Sequence, residues 1–383
     1  MKTLYRYAAV ALVILFLVSV ARFYHRGQGF TALLGLPAGN KDEAAVLKAI
    51  PHAVSPANNS YDGQFYVQRA FDPLLRDPAI DRAMDLAPMR ARRILFSWTA
   101  YLLGFGQPAW IVEVFALQNV VCWLLLALLL TRWLPLTSAR ELALWTACLF
   151  SHGLLWSVRF SLLDGPSLLL TACAVAAVER GWPLASAALV GISGLGRETN
   201  LLGSMAQRVP TDRRGWARLA LAVLLVVLPL LIWQDYLRSV YRSTMLAGAD
   251  ALVTPFGGIW PVWIGVYHRA LHYGLFSIPG GWFLLVVGLI VQAVYLLMLI
   301  TRRAWVLEWW RVGIAYAVLM VMVDAVVATP ITGAITRVLL PMTVAFNVLL
   351  VRETSASRFW PWFIAGNLNL VLAGTIMPLN PFQ

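Results

Sequence analysis

Long apolar runs alternate with short polar segments along almost the whole chain. The runs near residues 110–130, 219–233 and 282–300 are almost continuously hydrophobic. A helix needs about 17–25 such residues to cross a bilayer, and continuous rather than alternating runs argue against a transmembrane β-barrel. The pattern therefore predicts an all-α polytopic membrane protein that forms a single transmembrane domain over residues 1–383.

The same pattern predicts about eleven transmembrane helices. Two longer segments interrupt the runs, and we expect residues 24–108 and 234–280 to form a first and a second outer loop. The short apolar stretch at 93–104 is expected to lie at the membrane interface as an amphipathic helix. The predicted spans lie near residues 7–20, 110–130, 142–156, 163–178, 184–195, 197–207, 219–233, 282–300, 312–329, 335–351 and 363–377.

Arginine placement predicts the orientation. Cytoplasmic loops of membrane proteins are enriched in Lys and Arg, and Lys2 and Arg6 precede the first apolar run, which lacks a small-residue cleavage site and is expected to be an uncleaved signal anchor. The N-terminus is then cytoplasmic. The predicted inner loops carry Arg132, Arg140, Arg208, Arg213, Arg214, Arg218, Arg302, Arg303, Arg311, Arg352 and Arg358.

Composition narrows the class further. The chain is 60% hydrophobic and 13% charged, with a net charge of +12. Because the positive charge sits in short loops between apolar runs, it argues against nucleic-acid binding. The high Arg to Lys ratio and the Ala and Leu content suggest a bacterial source. We therefore expect the bacterial inner membrane, with the outer face in the periplasm.

Acidic residues inside membrane helices are costly and usually functional. The predicted topology places the acidic residues of these helices in the outer half of the membrane, beside two arginines. Asp62 of the first loop faces the same side. A polar cavity that opens to the outer face would explain this clustering. The group comprises Glu113, Asp164, Glu198, Asp324, Arg197 and Arg337.

Simpler interpretations remain open for several of these residues. Asp62 and Gly63 could form an ordinary turn, Arg197 could pair with Asp164, and Glu113 and Asp324 could act as hydrogen-bonding links between helices. His268 and His272 have an i, i+4 spacing that suits a metal. With no Glu between them, the two histidines are more typical of a polar surface.

Four segments resemble the integral membrane glycosyltransferases of the GT-C superfamily, in particular the bacterial GPI-mannosyltransferase-like and protein-mannosyltransferase-like group. The resemblance covers residues 1–350 in order. Its segments are Tyr61-Asp62-Gly63-Gln64-Phe65-Tyr66; Arg93 to Leu103 with Gln118-Asn119; Leu163-Asp164-Gly165-Pro166 with Gly191 to Asn200; and Thr336-Arg337-Val338-Leu339-Leu340-Pro341.

The resemblance implies a GT-C-like fold and an enzyme that transfers a hexosyl or pentosyl group from a polyprenyl-phosphate donor. The acceptor is expected to be a cell-envelope glycan, lipid or protein at the periplasmic face, as in polysaccharide biosynthesis. Asp62 is the expected general base. The expected phosphate ligands are Arg337, Arg197 and Arg93, and the residues expected to bind or orient the sugar are Tyr61, Gln64, Asp164 and Glu198.

The chain also departs from the group. Asp62 is followed by Gly63 rather than a second acidic residue, so a divalent metal is compatible with the site but not required by the sequence. Val338 stands where an aromatic residue is common, and no large C-terminal domain is expected. The alternative function is a lipid-linked glycan transporter or a non-catalytic assembly subunit of a surface-polysaccharide system, although a transporter needs polar residues through the midplane.

Overall fold

The structure, a computed structural model, describes residues 2–37, 44–55, 61–210, 212–241, 253–330 and 334–373. These residues form helices and no β-strand. The α-helices in chain order are α1 (Lys2–Ala21), α2 (Ala45–Lys48), α3 (Gly63–Arg69), α4 (Pro78–Arg82), α5 (Ala87–Ala91), α6 (Leu95–Leu103), α7 (Pro108–Leu130), α8 (Ala139–Leu149), α9 (His152–Arg159), α10 (Asp164–Glu179), α11 (Pro183–Gly194), α12 (Arg213–Tyr241), α13 (Ile259–Tyr273), α14 (Ile278–Met298), α15 (Glu308–Met322), α16 (Ala325–Ala328), α17 (Ala334–Val338), α18 (Leu340–Leu350), α19 (Ala356–Gly366) and α20 (Leu370–Ala373).

Four helical segments among the described residues are long and apolar enough to cross a membrane. They are Thr3–Ala21, Pro108–Leu130, Arg213–Tyr241 and Ile278–Arg302. The expectation of an all-helical membrane protein is confirmed at this level, while the count of eleven spans stays a prediction. Few side chains of α12 are buried, namely those of Ala222, Val226, Leu230, Trp233 and Leu237, as expected for a helix that contacts lipid.

Four helices that the sequence predicts as continuous are instead interrupted. The predicted helix at 142–156 divides into α8 and α9, and 312–329 divides into α15 and α16. Residues 335–351 divide into α17 and α18, with Pro341 in the first turn of α18. The last predicted helix also ends early, as α19, with the short α20 after it; its residues 374–377 lie outside the described part of the chain.

Two further predicted elements differ from their expected form. The segment after Arg197 is a 3₁₀ helix over Glu198–Ala206, which at about 2 Å per residue is shorter than the hydrocarbon core. The predicted second outer loop at 234–280 contains the end of α12 and the whole of α13. The first loop does contain short helices and α6, as predicted.

Close backbone contacts bring the interrupted helices together. A Cβ atom added to Gly153 would overlap the carbonyl oxygen of Thr336, so α9 and α17 touch through their backbones. Buried Asn119 donates a hydrogen bond to the Leu162 carbonyl oxygen at 2.6 Å and accepts one from Ser157. These contacts hold the first residues of α10 against α7 and α9.

Candidate functional site

The acidic motif of the first loop begins α3. Asp62 has a helical backbone (φ −53°) and makes no cap hydrogen bond through its side chain, so its carboxylate is not used in a local turn. A Cβ atom at Gly63 would overlap the carbonyl oxygen of Phe160. The glycine is therefore required by the close approach of α3 to the end of α9.

One oxygen of Asp62 is engaged and the other is not. Nη2 of Arg90 donates to Oδ1 at 3.0 Å, and the Asp62 side chain is 38% exposed. Oδ2 accepts no hydrogen bond from any residue in the ranges described. Arg90 is itself buried, and its guanidinium lies over the rings of Phe65 and Tyr66 at 4.8 and 5.3 Å. Asp62 therefore has one carboxylate oxygen without a hydrogen bond, and its other oxygen is held by a buried arginine.

Arg90 also binds Asp85, through Nε at 2.9 Å and Nη2 at 2.7 Å. Burial acts to raise the pKa of Asp85, but the hydrogen bond and charge of Arg90 outweigh it, so that pKa lies below its ordinary value. Burial likewise acts to lower the pKa of Arg90, and Asp85, Tyr66 and Asp62 raise it above its ordinary value. The pair is therefore ionised at neutral pH.

Asp164, the first residue of α10, is buried between two arginines. Its Oδ2 accepts a hydrogen bond from Nη1 of Arg337 at 2.8 Å, and its Oδ1 forms an ion pair with Arg197. Nη2 of Arg337 donates to the Tyr61 hydroxyl at 2.6 Å, and the Arg337 guanidinium lies 4.9 Å from the centre of that ring. Since Tyr61 precedes Asp62 in the chain, the buried cluster lies next to the open carboxylate.

Glu198 forms a second group with the basic residues of the first loop. Arg93 Nε lies 3.2 Å from its Oε2, and Arg92 Nε lies 3.4 Å from its Oε1. Arg93 also donates to the Tyr66 hydroxyl at 3.3 Å. The Tyr66 hydroxyl accepts from Arg90 as well, at 3.4 Å, so this group is linked to Asp62. Arg197 and Glu198, although adjacent, point to different partners.

The structure thus brings together most residues that the sequence singled out. The exceptions have separate roles: Gln64 is buried within α3, Glu113 accepts a hydrogen bond from the Phe30 backbone at 3.0 Å, and Asp324 caps α16 by accepting one from Val327 at 2.8 Å. The interpretation of Asp324 as a link between helices is wrong, because its partner is in its own first turn.

Sequence reasoning did not assign Arg90, Arg92, Asp85 or Tyr66. A signal for the arginines was available, because three arginines within four positions of a predicted outer loop depart from the expected inward bias of positive charge. In the assembled site, the five arginines exceed the four carboxylates by one, which leaves a net charge of +1. The arginines are Arg90, Arg92, Arg93, Arg197 and Arg337; the carboxylates are Asp62, Asp85, Asp164 and Glu198.

Two further residues beside Tyr61 were not anticipated. His152 is buried, its Nδ1 lies 3.0 Å from Oγ1 of Thr336, and its ring stacks on Trp156. Arg159 is buried between the rings of Phe23 and Phe160 and donates to a backbone carbonyl. No carboxylate of the described segments pairs with Arg159, so an anion close to Phe160 would meet an uncompensated cation.

The buried cluster leaves little free space. The cavity beside Asp164, Arg197, Arg337 and Tyr316 has a volume of about 10 Å³, which suits about one water molecule. Within the described residues, no group of three or more His, Cys, Asp and Glu side chains could hold a metal ion. His268 and His272 are exposed on α13.

No protein-family model matches the sequence of this chain, and no curated protein or solved structure is significantly similar to it.

Proposed function

We propose that this protein is a membrane glycosyltransferase that moves a sugar from a polyprenyl-phosphate donor to an acceptor at the outer face of the membrane. The observation that carries the proposal is the arrangement of an open carboxylate, Asp62, beside a cluster of arginines with surplus positive charge. Base and cation are the two functions that this reaction requires from the protein. The resemblance to the GT-C superfamily supports the same reaction class.

Asp62 is the general base in this proposal. A new bond forms between an acceptor hydroxyl or amine and the anomeric carbon, the bond from that carbon to the phosphate oxygen breaks, and the acceptor proton passes to Oδ2 of Asp62. Polyprenyl phosphate leaves with the bonding electrons. Arg90 binds the other oxygen of Asp62. This interaction keeps the free oxygen oriented without moving the backbone of α3.

The arginines bind the leaving phosphate. Arg337 is the first candidate and Arg197 the second, because the planar guanidinium matches phosphate oxygens. Asp164 holds both in position and reduces their charge. Because the cavity here admits about one water, the phosphate binds by displacing the Tyr61 hydroxyl from Nη2 of Arg337. Arg93, paired with Glu198, is the third candidate.

The proposed setting is the bacterial inner membrane, with the N-terminus in the cytoplasm and the site in the periplasm. The acceptor is then a cell-envelope glycan, lipid or protein. Tyr61 and Glu198 remain candidates for contact with the sugar, whereas the burial of Gln64 favours a packing role. The protein's own side chains supply a base and cations, and a divalent metal is compatible with the site but not required by the sequence.

The decisive experiment measures release of polyprenyl phosphate by the purified protein in lipid nanodiscs, with a panel of polyprenyl-phosphate sugars. Asp62→Asn should retain donor binding and reduce turnover by about 10²–10⁴-fold. Asp85→Asn is the matched control, because it also removes a carboxylate from Arg90 but leaves Asp62 in place. We expect Asp85→Asn to lose less than tenfold.

Equal losses in the two variants would show that Asp62 acts through Arg90 and is not the base. If the wild-type protein neither binds nor turns over any donor, the proposal fails. The alternative is then a lipid-linked glycan transporter or a non-catalytic assembly subunit. Binding without turnover across a panel of acceptors would favour the non-catalytic subunit.

A further inference from the structure

A groove on the outer loop side of the protein has the size of a ligand site and no assigned role. Its volume is about 350 Å³, within the range of about 300–1,000 Å³ for small-molecule sites. One wall is the turn after α3 and the other is α6. The side chains that define it are Phe71, Leu74, Arg76, Trp98, Tyr101 and Leu102.

Hydrogen bonds fix the walls of this groove. Nε1 of Trp98 donates to the Pro73 carbonyl oxygen at 2.9 Å, and the Tyr236 hydroxyl donates to the Leu74 carbonyl oxygen at 2.6 Å. The Trp98 ring also packs edge-on against Trp233, with 5.0 Å between centroids. Because Trp233 and Tyr236 belong to α12, a candidate membrane span, the groove is attached to the end of that span.

The groove is apolar where it would face lipid. Leu74 and Leu102 are 45% and 68% exposed, and the next residues along the chain, Leu103 and Phe105, are exposed as well. The candidate span α7 begins three residues later, at Pro108. Exposed apolar side chains at the start of a span lie at the depth of lipid headgroups and upper acyl chains.

The groove also carries an available cation. Arg76 is exposed, and no carboxylate in the described ranges pairs with it. Asp72 also lines the groove; its Oδ2 accepts a hydrogen bond from the Asp77 amide at 2.8 Å, and it forms no ion pair with Arg76 in the described ranges. An apolar floor with a free guanidinium at its edge is complementary to a molecule with a hydrocarbon chain and an anionic headgroup.

We infer that this groove binds an anionic phospholipid of the surrounding bilayer, with an acyl chain along α6 and the phosphate at Arg76. The site is separate from the cluster at Tyr61 and Asp62. Ser97 on one face of α6 donates to the Tyr66 carbonyl oxygen at 2.8 Å, whereas Trp98 and Tyr101 face the groove. The bound lipid would attach the first loop to the membrane surface, whatever reaction the protein performs.

Native mass spectrometry of the detergent-purified full chain, titrated with phosphatidylglycerol, tests the inference. Arg76→Gln should weaken the tightest lipid site roughly tenfold, as expected for loss of a charge-assisted hydrogen bond. Arg82→Gln changes another exposed arginine of the same loop and should have no effect. Leu102→Trp should block the groove, whereas Leu103→Trp, at an equally exposed neighbour that does not line it, should not.

The positions are exposed, so an unchanged melting temperature will confirm that each variant folds. Equal lipid affinity for Arg76→Gln and Arg82→Gln would overturn the inference. So would binding of neutral diacylglycerol as tight as that of phosphatidylglycerol, which would indicate a chain-only groove. Competition by soluble glycerophosphoglycerol at the same concentration as the lipid would overturn it too, because the groove would then bind a free anion.

Discussion

The two aspartates of the candidate site occupy opposite environments. Asp164 has a side chain that is 2% exposed, and each of its oxygens meets an arginine. Asp62 is 38% exposed, shares a single arginine with Asp85, and keeps one oxygen open. The first lies among the helices α10, α17 and the 3₁₀ segment, and the second lies at the first turn of a loop helix.

This contrast separates two roles that the sequence could not distinguish. A buried carboxylate between two cations is a weak base, because both cations stabilise its ionised form, so Asp164 is suited to holding arginines in place. A carboxylate with an open oxygen can accept a proton, so Asp62 is suited to chemistry.

Asp164→Asn should reduce the free energy of unfolding by about 3–5 kcal/mol, because it leaves two buried arginines without a counter-charge. Asp62→Asn should reduce it by less than about 1 kcal/mol, since that ion pair is partly exposed. Denaturant titration in mixed micelles measures both. Similar losses would contradict the contrast, while partial recovery in Asp164→Asn combined with Arg337→Met would support it.

Gly63→Ala should destabilise the protein by about 1–3 kcal/mol and lower turnover, because the new methyl group meets the Phe160 carbonyl oxygen, a backbone atom that cannot rotate away. Gly265→Ala is the control, since the space around that helical glycine is open. It should be neutral or stabilising by up to about 1 kcal/mol. Unchanged turnover in Gly63→Ala would show that the position of α3 does not matter for function.

Asp85→Asn should have the smallest effect, less than about 1 kcal/mol at pH 7, because Asp85 is partly exposed. Its pKa in the folded protein lies below the ordinary value of 3.8. Its stabilising contribution is therefore complete above that pH and is lost as pH falls through the lowered pKa. Free energies of unfolding measured against pH should differ between variant and wild type above pH 3.8 and converge below it; a constant difference would contradict the assignment.

The sequence was sufficient to predict an all-helical membrane protein, because a long apolar run indicates a membrane helix whatever its tertiary contacts are. It also predicted that Asp164, Arg197 and Arg337 lie at the same depth in the membrane, because charged residues occur at few positions within the apolar runs. The first loop was predicted to hold α6, since an apolar run too short to span suits an interface.

The tertiary structure decided which charges pair. Arg337 and Asp164 are 173 positions apart, and Arg90 and Asp62 are 28 positions apart, so no local pattern specifies these pairs. The contact of Gly153 with the Thr336 backbone likewise joins distant segments, whereas the break before α18 has a local signal in Pro341. Local hydropathy sets the element type, whereas ion-pair partners are set by contacts between distant segments.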